Sequence, residues 1–122
     1  MSKPSPLILK FMAMSMGTAA FYGVATLFVP WSLAKDWMYP AAAASSEEGY
    51  NAFRFLLSAC LLGWANGKYT AFRLGPSACV EFCKTNVVPM LLFVGASAKA
   101  GAWDTPVWAA FTAAYVHFGY LA

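Results

Sequence analysis

The chain has 122 residues, 61% of them hydrophobic and only 11% charged, with a formal net charge of +3. A soluble domain carries roughly 25% charged residues, and a short chain has much surface for its volume, so there is too little polar material to cover a water-soluble body. The basic residues are scattered rather than clustered, which argues against nucleic acid as a partner. The composition points to one integral membrane domain over residues 1–122.

Ser5-Pro6 is a helix cap followed by proline at the first helical position. The run "LILKFMAMSMGTAAFYGVATLFV" then continues until Pro30 stops it. Lys3 and Lys10 ahead of an apolar run resemble a signal peptide, but the run is longer than a usual h-region, and a first membrane span is expected instead. Ala13/Gly17 and Ala19/Gly23 are small-xxx-small pairs, which let another helix approach closely. Next comes "PWSLAKDWMYPAAAAS", with Trp31, Trp37 and Tyr39 among Lys35 and Asp36. Amphipathic aromatics beside a few charges mark a membrane–water boundary, and a short surface helix from Ser32 is expected there.

The stretch "SSEEGYNAFRFLLSACLLGW" opens the second helix. Ser45 and Glu48 have the spacing of a capping box, and Glu47 and Glu48 suit the positive end of the helix dipole. Glu47, Asn51 and Arg54 fall at i, i+4 and i+7 on one face, and Ser58 extends the stripe by a turn. An arginine facing lipid is costly, so these three are expected to form a structural polar clamp, with Arg54 bonded to Glu47, Asn51 or a neighbouring helix. The helix should run to about Leu74, where Gly75-Pro76 stops it and starts the next. Ala59/Gly63 and Gly63/Gly67 repeat the small-residue spacing.

The third helix should run from Pro76 to about Lys99, with Glu81 and Lys84 near an interface and a kink at Pro89. "KAGAWD" is a tight turn, and Thr105-Pro106 opens a fourth span of minimal length, "VWAAFTAAYVHFGYLA". The expected fold is therefore all-α, with four transmembrane helices and one interfacial segment between the first and second. Lys3 and Lys10 at the N-terminus, and Lys68, Arg73 and Lys84 at the second connection, outnumber the basic residues of the other connections, Lys35 and Lys99. The positive-inside rule puts both termini on the cytoplasm-like side, and an even number of spans agrees.

The residues hold little chemistry. There is one histidine, and no hydrolase, phosphate-loop or calcium-binding motif. Cys60, Cys79 and Cys83 all lie in apolar stretches and are read as buried thiols; Cys79 and Cys83 lack the further ligands of a metal set, so no metal is expected. Glu48 and Asn51 match part of the E-x-x-N-x-R pattern with which light-harvesting helices hold chlorophyll. Arg54 falls one residue too late and position 53 is Phe, so no family is assigned. His117 is a candidate tetrapyrrole ligand, with Ala110, Ala113 and Ala114 leaving a flat surface beside it where a macrocycle could rest.

The function expected is that of a non-catalytic accessory subunit in a larger membrane complex. The class of complex is an energy-converting assembly, photosystem or respiratory, in a thylakoid or mitochondrial inner membrane. Its partners would be other membrane subunits and lipids, with chlorophyll or another pigment as the candidate cofactor at His117, Glu48 and Asn51. Two alternatives are a small transporter or channel, with a polar route through Arg54, Asn51 and Ser58, and a lipid-modifying enzyme, in which His117 or Glu81 would have to converge with them.

Overall fold

The computed structural model describes residues 5–33 and 46–122, and among them the chain is all-helical, with no strand. The four helices are α1 (Leu7–Phe28), α2 (Glu47–Leu74), α3 (Pro76–Lys99) and α4 (Thr105–Val116), the last continued by a π-helical turn over His117–Leu121. Residues 31–33 are helical as well. The expected surface segment is otherwise outside the described residues, as are Ser45 and Lys3.

Two helices, α1 and α3, are long and apolar enough to cross a membrane. Their 22 and 24 residues extend about 33 and 36 Å at 1.5 Å per residue, against a hydrocarbon core of about 30 Å. The polar residues Asn51, Arg54, Asn66 and Lys68 interrupt α2, although it is the longest helix at 28 residues.

The ends of the helices follow from local chemistry. Ser46, not Ser45, caps α2: its hydroxyl accepts from the Gly49 amide at 2.9 Å. The expected cap is thus displaced by one residue, because Ser46 takes the extended backbone that an N-cap needs (φ −170°, ψ 156°). Gly75 alone links α2 to α3, at φ 112°, and Pro76 then starts α3 without needing an amide donor. At the far end of α3, Gly101 (φ 72°) closes a Schellman turn. The Ala102 amide donates to Ser97 O and the Gly101 amide to Ala98 O, which satisfies the last carbonyls of the helix. α3 runs as one helix through Pro89.

Side-chain contacts fix an up-down-up-down arrangement. Phe11 stacks on Phe118 at one end of the bundle, and Tyr22 meets Trp108 edge-on at the other, so α1 and α4 are antiparallel. Lys68 reaches Ser15 while Tyr50 reaches Val29, so α1 and α2 are antiparallel too. Gly23 brings these two helices together: a Cβ there would lie 2.9 Å from Leu62 Cγ, and Ser58 Oγ donates to Gly23 O at 2.6 Å. Between α2 and α3 a Cβ on Gly67 would meet the Phe82 ring at 3.0 Å. The core is Ile8, Met12, Tyr50, Leu61, Cys79, Cys83, Met90 and Tyr115, all 1% exposed or less. The outer faces are apolar as well, with Phe21, Phe28, Leu56, Leu92 and Leu121 each more than two-thirds exposed.

Lys68 corrects the expected connection. It is 3% exposed and lies in the core with Leu57, Leu61, Ala65 and Ala71, because the buried stripe of α2 continues to Ala71 and carries the lysine inward.

Gly75 and Gly17 should respond oppositely to alanine. At Gly75 the positive φ makes a Cβ strained, at a cost on the order of 1–3 kcal/mol. At Gly17 a Cβ meets open space, and the gain in helix propensity is up to about 1 kcal/mol. Unfolding titrations in mixed detergent should rank Gly75→Ala below and Gly17→Ala at or above the parent chain.

Candidate functional site

Three places gather polar or accessible side chains. The first is the end of α1, whose final carbonyls cannot all be satisfied within the helix. Val29 O accepts from Tyr50 Oη at 2.6 Å and from Arg54 Nη1 at 3.1 Å. The Arg54 guanidinium carbon lies 5.5 Å from the ring centres of both Tyr50 and Phe55. Tyr50, Arg54 and Ser58 follow one another at four-residue intervals, so one face of α2 supplies donors to successive turns of α1. A cation at a helix C-terminus also complements the dipole.

Of the acceptors expected for Arg54, the structure gives the neighbouring helix, at the C-cap of α1. Arg54 is joined to Tyr50 and a backbone carbonyl, and among the described residues no ion pair connects it to Glu47. Glu47 and Glu48 are exposed in the first turn of α2, and Asn51 is half-buried. The carbonyl wins because it is fixed in place and has no partner in its own helix, whereas Glu47 can remain hydrated at the helix end.

The second place is a groove of about 730 Å³ between α2 and α3. The two helices are pinned near their hairpin by the Gly67–Phe82 contact and by Trp64 Nε1, which donates to Asn86 Oδ1 at 3.1 Å. Further from the hairpin their walls stand apart. Phe53, Cys60 and Gly63 line one wall, and Pro89, Leu92 and Ala96 the other. The aromatic rings of Trp64, Phe93 and Trp108 adjoin one another edge-on, with centres 5.4 and 5.2 Å apart. At the end of the groove lies Asp104, 3% exposed, whose Oδ2 accepts from Trp108 Nε1 at 3.0 Å.

The third place is His117. It is exposed, stands edge-on to Phe118 at 5.0 Å, and opens the π-helical turn. That turn packs on α3: a Cβ on Gly119 would lie 3.1 Å from the Lys84 amide nitrogen. Ala110 and Ala114 line a shallow apolar hollow with Phe11 and Phe111, but His117 is not in its wall.

Glu48 and Asn51 lie at the end of the bundle where α1 finishes, and His117 lies at the end where α1 begins. These three candidate pigment ligands therefore do not converge within one chain. Glu81 is exposed and sits 3.7 Å from Lys84 near the start of α3, also away from Arg54, so the convergence that a lipid-modifying enzyme would need is not formed. Among the described residues no three His, Cys, Asp or Glu side chains come together as a metal set.

Sequence reasoning placed Lys68 in a connection, did not single out Tyr50, and put Asp104 in the turn where it lies without marking it as buried. The signals were present: Lys68 continues the apolar stripe Leu61, Ala65 at helical spacing, and Asp104 precedes Trp108 by one turn. The chain matches no protein-family model, no characterised protein and no solved structure.

Tyr50 and Arg54 share one acceptor, and a double-mutant cycle should show it. Tyr50→Phe or Arg54→Met alone leaves Val29 O with one donor and should cost about 0.5–1.5 kcal/mol. The double variant orphans the carbonyl, so its loss should exceed the sum of the two single losses. Simple additivity in detergent unfolding would show that the shared carbonyl does not couple them.

Proposed function

We propose that the chain is a small accessory subunit of a larger membrane assembly, that all four helices cross the bilayer, and that the α2–α3 groove receives a transmembrane helix of a neighbouring subunit. The observation that carries this proposal is Gly63. A Cβ at Gly63 would meet nothing within 4 Å, so the fold of this chain does not need a glycine there. A glycine within a helix costs about 1 kcal/mol relative to alanine. Gly17 and Gly95 are open in the same way, but of the three only Gly63 lines the groove, whereas Gly23 and Gly67 are filled against their own chain. An external helix accounts for Gly63, because small residues allow helix backbones to approach without a hydrophobic driving force.

The lining of the groove favours the same occupant. Ala59, Cys60, Gly63, Ala96 and Ala100 give both walls low stretches between the larger Phe53, Leu56, Leu92 and Phe93, a relief into which the side chains of a helix can interlock. Four spans are supported by the antiparallel order of the helices and by their apolar outer faces. Thr105–Leu121, at 17 residues, gives about 25 Å of helix, short but close to a span. Lys10, Arg73 and Lys84 gather at one end, which is the end the positive-inside rule places on the cytoplasm-like side. Energy-converting complexes of thylakoid or mitochondrial inner membranes are the assemblies richest in such subunits, and that class is carried as an analogy alone. In that setting the exposed His117 is available to a pigment bound at the bundle surface.

The chain isolated in mild detergent should migrate with other proteins in a stoichiometric complex. Gly63→Leu should fold as the parent does, judged by circular dichroism and melting, yet leave that complex. Migration of the parent chain alone or as a homo-oligomer, or retention of Gly63→Leu in the complex, would overturn the proposal.

Topology has its own test. In a Cys60→Ala background, cysteines at positions 10 and 73 should react with an impermeant reagent from one side of sealed vesicles. A cysteine at position 103 should react from the other side. Labelling of all three from one side would contradict four spans.

A further inference from the structure

Lys68 is a cation enclosed by the bundle, and hydroxyls, thiols and aromatic rings surround it, with no counter-charge among the described residues. Its Nζ donates to Ser15 O over a long 3.4 Å and lies 5.9 and 5.7 Å from the ring centres of Phe111 and Tyr115. Ser15 Oγ and Tyr115 Oη are fully enclosed and have no hydrogen-bond partner. Ser15 is 1% exposed and Tyr115 0%. The Ser15 hydroxyl is beside that of Tyr115. On the α3 side the neighbour is the thiol of Cys83, with Cys79 one turn before it, both 0% exposed. Among the described residues no carboxylate lies within ion-pair distance of Lys68; the ion pair they contain is Lys84–Glu81, at the surface.

These side chains come from all four helices and meet at one level. Ser15 is eight residues into α1, Lys68 six from the end of α2, Cys83 seven into α3, and Tyr115 six from Leu121. At 1.5 Å per residue, each Cα stands about 9–12 Å inside the positively charged end of the bundle. Buried charges in proteins are paired, and buried hydroxyls are bonded. Here an enclosed ammonium has one long bond to a carbonyl and, among the described residues, no counter-charge, and the two hydroxyls beside it lack a partner.

We propose that Ser15, Lys68 and Tyr115 form a binding site for one small monovalent anion of halide type. A single positive charge selects a monovalent ion, and three kinds of X–H donor from three helices supply its coordination. A water molecule could bond to the hydroxyls but would leave the ammonium without a counter-charge. Lys10, Arg73 and Lys84 lie toward the same end of the bundle, where their field raises the local anion concentration. The ion would tie α1, α2 and α4 together through their side chains. The site is separate from the α2–α3 groove, so its failure would leave the accessory-subunit proposal standing.

The test uses the intact chain in detergent at constant ionic strength, with gluconate replaced stepwise by chloride or bromide. The unfolding midpoint should rise and saturate with halide. Tyr115→Phe, which keeps the ring, should raise the halide concentration at half-saturation roughly tenfold, the scale of one lost hydrogen bond to a charged group. Lys68→Met should fold and show no halide dependence. An equal midpoint in gluconate, chloride and bromide for the parent chain would overturn the site, and that comparison needs no variant. A halide response that persists unchanged in Lys68→Met or Tyr115→Phe would also overturn it, by showing that the ions act elsewhere.

Discussion

Backbone carbonyls at a helix end have no amide partner in their own helix, and the end of α1 meets this constraint with donors from α2. Tyr50 and Arg54 both reach Val29 O, and Ser58 reaches Gly23 O. Three residues at four-residue spacing thus fix the rotation of α2 about its own axis. Once that face is turned toward α1, Leu61, Ala65 and Lys68 follow inward along the same stripe. The opposite face, with Phe53, Cys60 and Gly63, is left to form one wall of the groove. The buried lysine and the open groove are two consequences of one helix orientation.

The helix order and the turns were legible in the sequence because they depend on local signals. Pro30, Gly75-Pro76 and Thr105-Pro106 act through φ restriction and missing amides, which do not depend on tertiary context. Gly23 was legible as a place of close approach, since the Ala19/Gly23 pair marks it. What could not be read locally was which acceptor Arg54 would choose. Val29 is 25 residues away in sequence, and its carbonyl carries no signature in the side chains. Asn51 and Glu47 were nearer in sequence, but they lie at an end where hydration competes.

Lys68 shows a second limit. Three cationic residues, Lys68, Arg73 and Lys84, bracket the Gly75-Pro76 turn, and charge counting treats them alike. Helical phase separates them: Lys68 continues the buried stripe, Arg73 is exposed beside Tyr69, and Lys84 pairs with Glu81. For the two on α2, the rotation imposed by α1 decides that Lys68 and not Arg73 enters the core, while Lys84 is placed by α3. Asp104 lies in the turn before α4, and its bond to Trp108, one turn on, holds it inside.

The proposed function rests on Gly63 and its groove, which the chain's own packing leaves open. The most direct measurement is photo-crosslinking in the native membrane from two exposed positions, Leu92 in the groove wall and Phe55 outside it. A photoreactive residue at 92 should give one protein adduct of defined mass, while the same residue at 55 gives chiefly lipid adducts. Lipid adducts alone from position 92 would contradict a partner helix in the groove.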